Sequence, residues 1–166
     1  MKWVCAWCES EIIDEIGNGH SKAITHGICT DCKRKMLNQL EEEPASILDT
    51  FDFPILVVNS NVEVQTANTA ARKHLSKEFP DIKGKLGGDV FECKNAGLPA
   101  GCGKTPKCKG CQLRNLIELT AKTGKSYTRK IATLDHQSGS TVQQLRYLVS
   151  TEKINDQILL RIDDVQ

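Results

Sequence analysis

The chain has 166 residues, 22 of them basic and 21 acidic, which gives a formal net charge of +1. A chain of this length can bury one self-sufficient core and carry a small appended module. Because the charges balance, overall charge gives no indication of a nucleic-acid or membrane-surface partner.

Cysteine usage and hydropathy predict a cytoplasmic protein. No apolar run approaches the roughly 20 residues of a membrane-spanning helix, and residues 1–7 do not have the pattern of a signal peptide. Eight cysteines in a chain without an export signal favour a reducing compartment, where C-x2-C pairs indicate metal or redox chemistry. A disulfide scaffold remains the alternative if the chain is exported.

Residues 1–35 carry two C-x2-C pairs separated by twenty residues, a spacing typical of structural zinc sites. The four predicted ligands are Cys5, Cys8, Cys29 and Cys32. This segment has too few apolar residues for a core of its own, so we expect metal binding to drive its folding.

Other interpretations of these pairs are weaker. His26 lies three residues before Cys29 and could replace a thiolate, as could His20, but four cysteines already complete a tetrahedral shell. Neither pair is followed by histidine, as c-type haem attachment requires, and the first does not follow a predicted strand, as in thioredoxin-like folds.

Residues 36–53 are predicted to be a helical connector. The segment from Cys32 to Glu43 is rich in helix formers, and a second helical turn follows Pro44 and ends at Pro54. Ile47, Leu48 and Phe51 share one face of this turn, and this apolar face favours a homodimer.

The pattern changes to strands at Pro54. We predict a hairpin of two strands, 55–59 and 62–67, and then a helix from Thr69 to Leu75 capped by Asn68. Residues 76–90 are rich in lysine, glycine and aspartate and predict a loop with at most one helical turn.

Residues 93–111, here termed the cysteine loop, carry four cysteines with the spacing C-x8-C-x5-C-x2-C. Cys93, Cys102, Cys108 and Cys111 are predicted to hold a shared zinc ion or iron–sulfur cluster, because a loop of this length needs a clamp to be ordered. Nearby cations could compensate the charge of the thiolates, or could simply be solvated: Lys104, Lys107, Lys109 and Arg114.

No enzymatic site is predicted. Gly103-Lys104-Thr105 resembles the end of a P-loop, but the glycine required five residues earlier is Leu98. Asp135, His136 and Ser138 are too close in sequence to align as a catalytic triad.

The C-terminal third predicts a helix over Gln112–Thr123, ended by Gly124, and then three strands over 127–134, 142–153 and 157–163. Cys111 would lie at the N-terminus of that helix, where backbone amides favour a thiolate.

In this order, the elements from Ala45 to Gln166 resemble a PAS domain. PILVVNSNVEVQTANTAARKHL is similar to the family's opening hairpin and first core helix, LRNLIELTAKTGKSY to its long helix and third strand, and ILLRIDDVQ to its final strand. The resemblance implies an α+β fold, in which a five-stranded antiparallel sheet with flanking helices forms a sensory domain over 54–166. A small zinc-knuckle-like module precedes this domain, and the cysteine loop replaces helices usual in the family.

Two functions follow as hypotheses. The first is a cytoplasmic, non-enzymatic sensor of redox state or a gas, with zinc at the N-terminal cysteines, iron–sulfur or zinc in the cysteine loop, and a protein as output partner. The second is an interaction module with two structural zinc sites. Nucleic acid is the less favoured partner of this module, because residues 1–32 contain Lys2 and Lys22 as their only lysines or arginines.

Overall fold

The computed structural model describes residues 2–11, 24–40 and 47–166. The chain divides into two compact units, Met1–Phe51 and Asp52–Gln166. The predicted histidine alternatives are not resolved by this structure, since His20 and the side chain of His26 lie outside what it describes. No helix within the described ranges is both long enough and apolar enough to cross a bilayer.

The first unit contains two short strands and a helix. Strands β1 (Lys2–Cys5) and β2 (Ile24–Gly27) pair in parallel, with Cys5 opposite Gly27. Helix α1 (Thr30–Leu40) begins earlier than predicted, so that Cys32 lies in its first turn, and it runs through the predicted module boundary at 35/36. The division of the chain into a metal-binding module (1–35), a helical connector (36–53) and a sensory domain (54–166) remains a prediction.

The second unit is built on a five-stranded antiparallel sheet with the strand order β4-β3-β7-β6-β5. The strands and helices are, in chain order, β3 (Ile55–Val58), β4 (Val64–Ala67), α2 (Thr69–Leu75), α3 (Phe79–Ile82), α4 (Gly87–Val90), a 3₁₀ helix (Pro106–Gly110), α5 (Gln112–Thr123), β5 (Tyr127–Ser138), β6 (Thr141–Ile154) and β7 (Gln157–Val165).

The core lies between one face of this sheet and helix α5. Along β6, Tyr147, Val149 and Thr151 are buried, as an alternating strand requires when one face is covered. Helix α5 buries Leu113 and Ile117 in the same core. Further along the helix, the Thr120 and Thr151 hydroxyls are hydrogen-bonded at 2.7 Å, which ties α5 to β6.

The prediction was wrong for residues 76–90. Instead of at most one helical turn, this segment contains two, α3 and α4, separated by a short connection. Pro80 is tolerated in the first turn of α3, where its missing N–H has no intrahelical acceptor. Burial of Ile82 and Val90 explains why both turns form despite the polar composition.

Asn68 connects three elements of the second unit. Its side-chain oxygen accepts hydrogen bonds from the Ile55 and Ala71 amides, both at 2.9 Å, so it caps α2 as predicted and also holds the start of β3. Its side-chain nitrogen donates to the Phe53 carbonyl at 2.9 Å. Asn68 is fully buried, so loss of these bonds would leave polar backbone groups unsatisfied.

We expect Asn68→Ala to lower the free energy of unfolding by about 3 kcal/mol, because each buried group left without a partner costs about 1–3 kcal/mol. Exposed Asn61 provides the control, and Asn61→Ala should change stability by less than about 0.5 kcal/mol. Urea denaturation followed by far-UV circular dichroism measures both variants. Equal urea midpoints for Asn68→Ala and Asn61→Ala would show that the hydrogen bonds of Asn68 do not stabilise the fold.

Candidate metal centres

The N-terminal cysteines are brought together by the pairing of β1 with β2. Cys5 ends β1 and Cys8 follows it in a tight turn, while Cys29 directly precedes α1 and Cys32 lies within it. All four Sγ atoms lie within 4.8 Å of one another, so this group could hold a metal ion. Four thiolates around one point are the usual shell of structural zinc.

Backbone and side-chain donors surround these sulfurs. The Cys29 amide donates to Cys5 Sγ at 3.4 Å, and the Cys32 amide donates to Cys29 Sγ at 3.5 Å. The Ser10 hydroxyl lies 2.9 Å from Cys8 Sγ. Such contacts orient metal-bound thiolates and stabilise their negative charge.

The environments of these thiols differ. Hydrogen bonds from the Ser10 hydroxyl and amide lower the pKa of Cys8 to about 6. Burial and the neighbouring cysteine thiols raise the pKa of Cys32 above its usual value. The four thiols therefore differ in how readily they release a proton, and a cation that binds all four must displace the proton of Cys32.

Trp7, inside the first C-x2-C pair, packs edge-on against Phe51 of the same unit, with ring centroids 5.7 Å apart. Phe51 belongs to the apolar face from which a homodimer was predicted. This residue of the face already has a partner within its own unit.

The second set of cysteines is arranged differently. Cys93 follows α4 and is bridged to His136 of β5, Cys102 lies in the cysteine loop, Cys108 is on the 3₁₀ helix, and Cys111 caps α5. Among the described residues, the N-terminal four form the group that converges on one point. The four cysteines of the loop instead line a single cavity of about 340 Å³.

This cavity lies between the cysteine loop and the sheet. Its other walls include Gly88 of α4, Leu113 of α5, and Thr133 and Leu134 of β5, while Asn95 and Asp135 add polar groups. A volume of this size is at the lower end of the range for small-molecule pockets, which starts at about 300 Å³, and far exceeds the space of one ion.

Three of the sulfurs lining the cavity have donors directed at them. Cys108 Sγ is contacted by the Gly103 amide at 3.3 Å and the Thr105 hydroxyl at 3.1 Å. Cys111 Sγ accepts from the Arg114 amide at 3.5 Å, and Cys102 Sγ from Arg114 Nη2 at 3.7 Å. The loop therefore supplies the hydrogen bonds that cysteine ligands commonly have.

The pKa values of two of these thiols shift in opposite directions. Burial raises the pKa of Cys108, but hydrogen bonds from Thr105 and Gly103 and the charge of Arg114 outweigh it, and the net shift is downward. At Cys111, burial dominates and raises the pKa, with further contributions from Cys102 and Cys93. Thiolate character is thus favoured at Cys108 of the 3₁₀ helix and not at Cys111, so the expectation from the helix N-terminus was wrong.

Two glycines permit this packing. A Cβ atom at Gly88 would lie 2.7 Å from Cys102 Sγ and 3.1 Å from Ala96 Cβ. At Gly103, where φ is +83°, a Cβ would lie 2.6 Å from Arg114 Nη2. Both sites require the absence of a side chain. Gly88 was not identified from the sequence, because its contacts come from a distant segment.

The predicted compensating cations behave differently from one another. Arg114 donates to a cysteine sulfur, whereas the three lysines of the loop are exposed: Lys104, Lys107 and Lys109.

The position of Cys93 depends on groups that the sequence analysis did not connect with it. The Glu92 carboxylate lies 2.8 Å from Lys77 Nζ and 3.0 Å from His136 Nε2. The Lys94 amide donates to the Asp135 carbonyl, and the Gln137 amide to the Glu92 carbonyl, both at 2.8 Å. Cys93 is therefore fixed against the edge strand β5 from both sides.

Comparison with solved structures shows that the second unit has the PAS fold. A LOV protein from Rhodobacter sphaeroides matches at 12% identity with a TM-score of 0.51, covering 78% of this chain and 66% of that one. A domain of a sensory box sensor histidine kinase/response regulator from Geobacter sulfurreducens matches at 10% identity and a TM-score of 0.49, covering 72% and 89%. The PAS domain of nitrogen regulation protein NR(II) from Vibrio parahaemolyticus matches at 16% identity with a TM-score of 0.44, and the match covers 73% of this chain and 96% of that one.

No protein-family model matches the chain, and no curated protein matches it. The structural likeness confirms the predicted five-stranded antiparallel sheet with flanking helices.

Metal analysis tests the N-terminal site. We expect Cys29→Ser to lower the zinc content by one equivalent per chain relative to the parent protein, because the remaining three thiols no longer complete a tetrahedral shell. Thr30→Ala is the control, because Thr30 is exposed next to Cys29 and its substitution keeps all four thiols, so the zinc should be retained. Zinc released on thiol modification is quantified with a chromogenic chelator. Equal zinc in parent and Cys29→Ser would exclude this cysteine as a ligand.

Proposed function

We propose that this chain is a sensory signal-transduction protein in which an iron–sulfur cluster, held by Cys93, Cys102, Cys108 and Cys111, responds to redox state or a gas. The observation that carries this proposal is that these four thiols line one cavity in a PAS-fold unit. The N-terminal cysteines would hold a structural zinc ion.

The two cysteine groups differ in how their sulfurs are arranged, and each arrangement suits a different metal centre. Sulfurs that converge on one point suit a single tetrahedral ion, as at Cys5, Cys8, Cys29 and Cys32. Sulfurs distributed around a cavity of about 340 Å³ suit a guest of several atoms whose metals each take one thiolate. Amide donors at Cys108 and Cys111 would stabilise the anionic sulfurs of such a cluster.

A bound cluster would supply one-electron chemistry, and the chain's own residues would convert a change of charge into movement. Cys111 caps α5, so a shift of its sulfur acts on the first turn of that helix. Helix α5 contacts β6 through Thr120, and Lys153 Nζ donates to the Ala121 carbonyl at 2.8 Å. The signal would leave through a protein partner, with the chain acting as a cytoplasmic, non-enzymatic protein and as a homodimer.

A second candidate is a protein-interaction module in which both cysteine groups hold structural zinc. It shares the N-terminal zinc site with the first candidate, since four converging sulfurs match a permanent zinc site, and it differs from the first candidate in assigning zinc to the loop as well. In this version the metal content would not change with redox conditions. A protein is its better partner, and nucleic acid the weaker one.

Anaerobic purification distinguishes the two candidates. We expect a coloured protein with broad visible absorption and about four iron and four sulfide per chain, in addition to zinc. Cys108→Ser should lose the colour and keep the zinc. A colourless protein that holds two zinc ions and takes up no iron during anaerobic reconstitution with ferrous iron and sulfide would support the zinc module and reject the sensor.

Gly88→Ala provides a test that leaves all cysteines in place. The new Cβ would displace the Cys102 thiol, so we expect iron content and visible absorption to fall by more than half. Gly97→Ala is the matched control, because Gly97 is exposed, lies in the same loop outside the cavity wall, and a Cβ there would meet only the Lys94 carbonyl at an ordinary 3.6 Å. Unchanged iron content in Gly88→Ala would show that Cys102 does not ligate the cluster.

A further inference from the structure

Arg114 occupies a distinctive position beside the cysteine-lined cavity. It lies in the first turn of α5, and its side chain is only 18% exposed. Nη2 points to Cys102 Sγ at 3.7 Å, while Nη1 lies 3.3 Å from Glu118 Oε1, one helical turn later. The guanidinium also packs against the backbone of Gly103, where no side chain could fit.

A guanidinium in this position stays charged. Burial alone lowers the pKa of Arg114, but contacts with Cys102 and Glu118 more than offset this and raise it. Arginine is not deprotonated in proteins, and its planar fork can direct separate N–H groups at two acceptors. Exposed lysines in the loop are screened by water, whereas the Arg114 charge acts through a partly buried environment.

We propose that Arg114 is the counter-cation that sets the reduction equilibrium of the centre in this cavity, by distributing its hydrogen bonds between Cys102 and Glu118. This inference rests on the proposed function, because it requires a redox-active centre bound by these cysteines.

The electron balance gives the direction of the effect. A cluster with four thiolates carries a net charge of about −2 when oxidised and gains one negative charge when it accepts an electron from a one-electron donor. No covalent bond forms or breaks, and no proton is required. The N–H···S contact from Arg114 strengthens as the sulfur becomes more negative, so it stabilises the reduced form.

Glu118 competes for the same cation. In the oxidised state its carboxylate shares the guanidinium with Cys102, and in the reduced state the sulfur attracts the guanidinium more strongly. Both Arg114 and Glu118 belong to α5, whose later residue Thr120 contacts β6. A redistribution of these hydrogen bonds would therefore act on the helix that connects the cavity with the sheet.

The test uses the full chain, loaded anaerobically with ferrous iron and sulfide, and an EPR-monitored redox titration. We expect Arg114→Gln to shift the reduction equilibrium about tenfold toward the oxidised form, equivalent to a midpoint about 59 mV lower. Arg114→Lys should give a smaller shift in the same direction. Lys122→Gln removes an equal charge from an exposed position on the same helix and should leave the midpoint unchanged.

Glu118→Gln provides a variant that retains every contact between Arg114 and sulfur. We expect its midpoint to rise, because the competing negative charge is removed. This variant decides the question if Arg114→Gln does not fold or does not load, with folding checked by circular dichroism of the unloaded protein.

The outcomes separate the two proposals. A parent protein that takes up no cluster rejects the proposed function. A loaded protein in which Arg114→Gln and Lys122→Gln have the same midpoint overturns the role of Arg114 and leaves the sensor proposal standing. An unchanged or lower midpoint in Glu118→Gln also overturns the role of Arg114.

Discussion

The second unit depends on helix α5, which contributes both to the hydrophobic core and to the wall of the cavity. Its apolar face places Leu113 and Ile117 in the core, and the Thr120–Thr151 hydrogen bond fixes its register against β6. Its N-terminus carries Cys111 and Arg114, which form part of the cavity wall. Because one rigid element provides both core and cavity, the position of the cysteines follows from the same packing that stabilises the fold.

The cavity exists because a loop with little apolar content is held by backbone contacts on several sides. Residues next to Cys93 exchange hydrogen bonds with β5, Gly88 admits the Cys102 thiol, and the 3₁₀ helix presents Cys108 toward Gly103 and Thr105. In the N-terminal module, by contrast, a parallel strand pair brings two turns directly together. These two ways of positioning thiols explain why one group converges on a point and the other encloses a volume.

Local signals in the sequence predicted the elements whose ends are determined locally. Helix α2 was predicted with its correct bounds because Asn68 caps it, and α5 because Gly124 adopts the left-handed conformation that ends it. Strand ends were less accurate, since β5 and β6 extend beyond their apolar residues through mutual pairing. Parallel pairing of β1 with β2 and the contacts of Gly88 depend on residues distant in sequence, which no local pattern encodes.

The candidate sites show the same division. Spacing predicted that Cys5, Cys8, Cys29 and Cys32 form one group, because each C-x2-C pair places two sulfurs within one turn, and the structure brings these four together. A shared centre at Cys93, Cys102, Cys108 and Cys111 stays a prediction. Spacing did not distinguish Arg114 from the neighbouring lysines, because these cations differ only in the burial of their side chains and in whether they point to a sulfur. The three loop lysines are exposed, although Lys107 also borders the cavity, whereas Arg114 lies in the first helical turn beside the sulfurs of Cys102 and Cys111. The thiol of Cys111, which caps α5, and the guanidinium of Arg114 both lie in the first turn of this helix. Formation of the helix therefore positions both groups at the cavity.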